Sequence, residues 1–212
     1  MPAVDTVVLN EVCLSTAYLA PVSYYQLLNG ARKVVIDPNE HYHKQSYRNR
    51  CCIASANGPM DLILPVELPQ GQRTIVKEVR LSDHGDWRSK HWKAIASAYN
   101  SSPFFEYFAD DLQSLYEQSW GFLWDFNMAL QSTILELLEI ESNIDIADHY
   151  IADWKGEGPD LRDLLHPKKE LSLFKAIPYY QVFAHKQGFL PGLSVIDLLF
   201  NMGNESVLVL EK

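Results

Sequence analysis

Apolar positions fall in short continuous runs or alternate up to about residue 82, and beyond it they recur at helical spacing. Residues 7–14 form an apolar run that predicts a buried strand. Pro21 stands where a helix can begin, and Tyr24, Tyr25, Leu27 and Leu28 form a helical stripe that stops at Asn29-Gly30. Residues 33–36 predict the next strand, and the connection between the two strands is long enough for a right-handed parallel crossover. Residues 47–54 and 61–66 flank the turn signal Asn57-Gly58-Pro59 and predict a hairpin with a turn a little longer than the tightest type. Residues 75–81 predict a further strand.

In the second half Trp87, His91, Ile95, Ala98 and Tyr99 lie on one helical stripe behind Asp83 or Asp86 as cap. Two more helices are predicted over 104–118 and 121–138, the second with Phe122, Phe126, Leu130, Ile134, Leu137 and Leu138 along one face. Residues 143–166, which hold Gly156, Gly158 and Pro159, read as loop with one short strand or helical turn, and 177–184 as a late strand. Residues 194–202 predict a short amphipathic helix with a capping-box-like Ser194-x-x-Asp197 and Gly203 as its stop. The fold class implied is mixed α/β. An N-terminal sheet of five or six strands, combining a parallel pair with a hairpin, is covered by a helical second half. One domain over 1–212 is expected, sheet-rich in 1–82 and helix-rich in 83–212.

Composition narrows the classes of function. The 212 residues carry 18 Lys and Arg against 27 Asp and Glu, a net charge of −9, and no basic tail, which disfavours duplex nucleic acid as a partner. A content of 47% apolar and 12% aromatic residues supplies a core that a disordered chain lacks. Cys13, Cys51 and Cys52 are odd in number and partly adjacent, a poor disulfide framework that fits a reducing compartment. The opening Met-Pro-Ala-Val-Asp has no basic n-region, and no apolar run reaches the roughly 18 residues of a membrane span. A soluble cytoplasmic protein without membrane insertion is expected, and base rates favour a homodimer.

Several constellations could carry chemistry. Arg48 and Arg50, read as part of one strand, project from one face about 7 Å apart with Asn49 on the other. Two such forks suit a phosphate or carboxylate, although each Arg could equally pair with an acidic neighbour. Trp87, Lys90 and His91 stand at i, i+3 and i+4. One helical face could thus present an aromatic wall, an amine and an imidazole general base whose proton affinity Lys90 lowers. Against that, a Trp in such a stripe is more often core. Tyr18 follows the first strand, where an open parallel sheet places ligands, but no Gly-rich phosphate fingerprint accompanies it. His41 and His43 share a face if extended, with Asp37 and Glu40 nearby, yet no third metal ligand follows at recognisable spacing. Cys51 and Cys52 point to opposite faces and lack a nucleophile context. Asn201 has no capping duty and could reach a ligand or a buried backbone group.

Four stretches resemble the WbqC-like protein family of bacteria. They are Ala17-Tyr18-Leu19-Ala20-Pro21 leading to Tyr24-Tyr25, then Tyr47-Arg48-Asn49-Arg50 with Asn57-Gly58-Pro59 and Leu64-Pro65-Val66. The third is Asp86-Trp87-Arg88-Ser89-Lys90-His91-Trp92 with Tyr99 and Pro103-Phe104-Phe105, and the fourth is Tyr180-Gln181 with the run 189–203. Where many members carry a Gln-Pro-Asn-Tyr string, this chain has Ser15-Thr16-Ala17-Tyr18, keeping the Tyr and losing the Gln and Asn. The resemblance implies a part in making O-antigen or another surface polysaccharide. The function expected is a small transferase-like enzyme acting on an anionic small molecule such as a sugar nucleotide or an acyl donor. In it Tyr18, Arg48, Asn49, Arg50, Trp87 and Asn201 bind substrate, Lys90 and His91 do the proton or charge work, no metal is required, and the cofactor is unspecified. The alternatives are a non-catalytic scaffold of a glycan pathway and a metal-dependent hydrolase.

Overall fold

A computed structural model describes residues 9–69, 73–169 and 176–211. The fold is mixed α/β. β1 (Glu11–Leu14), α1 (Val22–Gly30) and β2 (Lys33–Ile36) form the expected parallel unit, with Glu11 opposite Lys33 and Leu14 opposite Ile36. Both strands are almost wholly buried, which is why they read as continuous apolar runs and not as alternation. β3 (Arg50–Ser55) and β4 (Gly58–Ile63) form the hairpin. Its turn is tighter than expected, only Ala56 and Asn57, because Gly58 takes a φ of 118° and lets the second strand start at once.

The expected strand over 75–81 is mostly absent. Val76–Glu78 is a 3-10 turn, followed by the two-residue strand β6 (Arg80–Leu81), which pairs with β5 (Val66–Glu67). Val76 and Val79 are both fully buried, and a three-residue spacing puts them on one side of a 3-10 turn but on opposite faces of a strand. The helices are α2 (Trp87–Tyr99), α3 (Phe105–Glu117) and α4 (Leu123–Leu137). α2 has Asp86 at its N-cap in the left-handed region without a side-chain cap bond, while Asp83 instead accepts from Arg88.

After α4 the chain returns to the sheet. β7 (Ile144–Ile146) pairs in parallel with the free side of β2, and residues 159–161 run along the free side of β1 through a parallel bridge between Cys13 and Asp160. The Cys13 amide donates to the Pro159 carbonyl, and the Leu161 amide donates to the Cys13 carbonyl. This approach requires glycine at 158, since a Cβ there would stand 1.7 Å from the Glu11 carbonyl oxygen. Among the described residues the expected sheet of five or six strands therefore divides into three small sheets. β3 packs against α2 and a later helix instead of extending the parallel layer.

The late strand expected over 177–184 is not formed. Its backbone is held by side chains: the Val182 amide donates to Asn201 Oδ1, and the Gln181 carboxamide bonds both the amide and the carbonyl of Leu190. A short helix, α5 (Ala184–Gln187), follows. α6 (Val195–Met202) has Ser194 as its N-cap, accepting from the Ile196 amide, but Asp197 does not complete a capping box. Its carboxylate accepts from Tyr179 and Gln181, and the Ser194 amide goes to the Cys52 carbonyl. Gly203 ends α6 as expected, with a φ of 55° and the Phe104 ring where a Cβ would lie. α7 (Val207–Leu210) closes the chain, and α6 and α7 both pack on α1. Among the described residues no helix is long and apolar enough to cross a membrane.

Candidate ligand site at the carboxyl edge of the sheet

The segments that follow β1, β2 and residues 159–161 meet beyond the carboxyl ends of the parallel strands. There Arg48, only 2% exposed, donates Nε and Nη2 to the two carboxylate oxygens of Glu40 at 2.9 and 2.6 Å. Arg162 chelates Asp160 and sends Nη1 to Asp37 Oδ2 at 2.8 Å. The two pairs are joined, because the Arg162 carbonyl accepts from both Arg48 and the Ser15 hydroxyl. Burial pushes the Glu40 carboxyl up even though Arg48 works to lower it. For Asp160 the balance reverses: burial acts to raise it, and the Arg162 fork holds it below the usual carboxylate range.

A cavity of about 10 Å³, near the threshold at which one water fits, lies among these groups and is lined by Thr16, Tyr24, Tyr47, Arg48, Arg162 and Leu165 together with three neighbours. Thr16 is fully buried, and its hydroxyl finds no hydrogen-bond partner among the described residues. The adjacent hydroxyls are committed, Ser15 to the Arg162 carbonyl and Tyr24 to the Ser15 carbonyl at 2.9 Å. The backbone here is constrained, since the Tyr18 amide donates to the Tyr47 carbonyl and the buried Leu19 sits at a φ of 40°, a region L side chains seldom occupy. His166 follows Leu165, which lines the cavity, and partial burial, helped by Lys169, Lys168 and Arg48, lowers the proton affinity of its ring.

Of the residues singled out from sequence, Tyr18, Trp87 and His91 come together inside the core, and the others are dispersed. Arg48 precedes β3 in a turn, so it and Arg50 do not share a strand face; Arg50 instead bonds Asp61 on β4 at 3.0 Å. Asn49 donates to the Leu64 carbonyl and pins the open end of the hairpin. Tyr18 is fully buried, with its hydroxyl 2.8 Å from His91 Nδ1 and 2.7 Å from the Tyr116 hydroxyl. Burial lowers the His91 pKa to about 4, opposed by a bond to the Ile63 backbone. A neutral ring that donates there accepts from Tyr18 at Nδ1. Trp87 lies edge-on to His91 and Phe126 and donates to the Ser82 carbonyl, while Lys90 is exposed on the other side of α2. The expected wall of Trp87, Lys90 and His91 is therefore split, and burial, not Lys90, depresses the imidazole. Asn201 serves backbone groups, donating to the Asp197 carbonyl and accepting from the Val182 amide.

His41 and His43 also diverge. His41 lies against the Tyr150 ring and His43 meets Asp163, and among the described residues no group of three or more His, Cys, Asp or Glu side chains is placed to hold a metal ion. The sequence reading missed Thr16, Glu40 as an Arg partner, Asp160 and Arg162. The alternation Asp160-Leu161-Arg162, with Leu161 buried between two charges, was the available signal for an extended edge segment.

Fold and site together define a mixed α/β protein with a buried ionic cluster beyond the carboxyl ends of its parallel strands. The WbqC-like protein family matches residues 16–166, which include that cluster, and the chain belongs to this family. It is similar to the uncharacterized protein Rv1507c of Mycobacterium tuberculosis (strain ATCC 25618 / H37Rv), 25% identical over 213 residues that cover 89% of this chain and 92% of that one. No solved structure matches.

Proposed function

We propose that the chain is a small cytoplasmic enzyme, transferase-like, that receives a sugar nucleotide or an acyl donor at the carboxyl edge of the parallel sheet during surface-polysaccharide assembly. The observation that carries this reading is the convergence of the post-strand segments around buried Arg48 and the cavity beside it, within the family-matched region. Open α/β sheets bind ligands outside the carboxyl ends of their strands. The free state of Cys13, Cys51 and Cys52 agrees with a reducing compartment. Arg48 keeps the binding part assigned from sequence, as a wall of the site and not as an open anion receptor. Lys168 and Lys169, just beyond Leu165 in the chain, supply positive charge for phosphate, with a neutral His166 between them and the cavity. Tyr18, Trp87 and His91 form the packed layer beneath, and this reading places no proton transfer on His91 or Lys90.

A thermal-shift screen of the purified protein against sugar nucleotides, acyl-coenzyme A donors and divalent cations tests it. Ligand at 100 times its dissociation constant stabilises by about 2.7 kcal/mol, so a rise in Tm with a sugar nucleotide or acyl donor is expected. A rise with divalent cations alone would favour a metal-dependent hydrolase. No rise with any probe, together with co-purification of a glycan-pathway enzyme, would replace the catalytic reading with a scaffold.

A further inference from the structure

The cavity beside Thr16 has a chemistry of its own. Thr16 is fully buried, and among the described residues its hydroxyl has no partner. A buried hydroxyl left unpaired is costly, so it calls for a polar partner, and the cavity that Thr16 lines is where one can sit. The hydroxyls on either side have their protons committed, Ser15 to the Arg162 carbonyl and Tyr24 to the Ser15 carbonyl. Arg48 adjoins the cavity already compensated, its Nε and Nη2 held by the Glu40 carboxylate. The second cation, Arg162, is taken up by Asp160 and Asp37. An anion inserted here would leave a net buried charge with no free cation among the described residues that line the cavity, which is strongly unfavourable. The space, at the one-water threshold, admits one protruding oxygen and neither a whole phosphate group nor a sugar ring.

We infer that this cavity seats one uncharged oxygen of the ligand, a sugar hydroxyl or an acyl carbonyl, on the Thr16 hydroxyl, and that it selects the transferred group and not the phosphate-bearing carrier. The inference rests on the functional reading above and specifies its substrate end. A hydroxyl that both donates and accepts suits either oxygen type. The phosphates then remain outside, toward Lys168 and Lys169.

The test compares wild type, Thr16→Val and Thr16→Ser by thermal unfolding and by titration calorimetry with uridine diphosphate, uridine diphosphate N-acetylglucosamine and acetyl-coenzyme A. Without ligand, Thr16→Val is expected to melt at or above the wild-type temperature, because valine removes an unpaired hydroxyl at nearly constant volume. Its affinity for the sugar nucleotide or the acyl donor should fall roughly tenfold, with uridine diphosphate unaffected and Thr16→Ser close to wild type. Two results overturn the proposal: Thr16→Val melting several degrees lower while Thr16→Ser does not, or Thr16→Val binding the group donor as tightly as wild type. Failure of all three probes to bind wild type is a different outcome, and it removes the functional reading and this inference together.

Discussion

Replacing Arg48 with methionine should destabilise the protein by about 3–5 kcal/mol, the range for breaking a buried ion pair from one side. The side chain is 2% exposed and makes both bonds to Glu40, whose own exposure is 5%. Methionine keeps much of the volume but leaves the carboxylate without its partner and the Arg162 carbonyl with one donor fewer. Burial already raises the Glu40 pKa against the pull of Arg48, and without the guanidinium it rises further. An acid whose folded pKa lies above its unfolded value loses stability as pH rises through that interval. The deficit of Arg48→Met should therefore be smaller at pH 5 than at pH 8 in urea unfolding. Arg48→Met combined with Glu40→Leu should recover a large part of the loss, since a buried pair is often replaced by apolar groups without penalty. A loss below about 1 kcal/mol for the single variant, the range of exposed pairs, would mean that the pair is solvated and the ionic cluster is not the rigid wall described.

The second large effect is at Asp197. This carboxyl is fully buried, and desolvation raises its pKa from 3.8 to about 6, opposed by hydrogen bonds from Tyr179 and Gln181 and by the nearby Tyr99. Below the unfolded pKa it is protonated in both states and costs nothing. Above the folded pKa it is ionised in both, and the native state carries the full burden of a buried charge. The sign is thus a loss of stability as pH rises from about 4 to about 6, of about 3 kcal/mol at 1.36 kcal/mol per unit. Asp197→Asn keeps an oxygen to accept from Tyr179 and Gln181 and cannot ionise. Its stability relative to wild type should grow by about that amount between pH 4 and pH 7. Parallel pH profiles of the two proteins in urea unfolding would show that Asp197 does not titrate in this interval.

These two residues also show what a sequence can and cannot disclose. α4 was legible because Phe126, Leu130 and Ile134 recur at helical period and all end in the core, and the β1–α1–β2 unit because its strands are buried on both faces. Helix stops and hairpins obey local rules, as at Gly203 and at the Asn57-Gly58-Pro59 signal, which located the hairpin although its turn is shorter than the signal suggested. Asp197 misled for the same reason, since Ser194-x-x-Asp197 satisfies the local pattern of a capping box while tertiary partners claim the carboxylate. The site lies further from local rules. Arg162 meets Asp37 across 125 residues, and no period or motif links them. The location beyond a parallel strand could be anticipated from topology, but which charges gather there follows from loops whose course is set by packing. Tyr18 and His91, 73 residues apart, were each singled out, yet their pairing turned out to be internal to the core.

The parallel layer carries a consequence for how the chain acquires its shape. β1 and β2 are close in sequence and can join through α1 soon after synthesis, yet both flanks of this pair are completed only by β7 and by residues 159–161. Ser15 meets Arg162 across 147 residues. Closing such spans costs loop entropy before any contact offsets it, and non-local pairing is the slow part of folding. Until those segments arrive, β1 and β2 present open edges able to template wrong partners. The ionic cluster and the Thr16 cavity are built where these distant segments dock, so loop entropy places the site after the β1–α1–β2 unit in the order of assembly, and its presence reports that the sheet edge has closed.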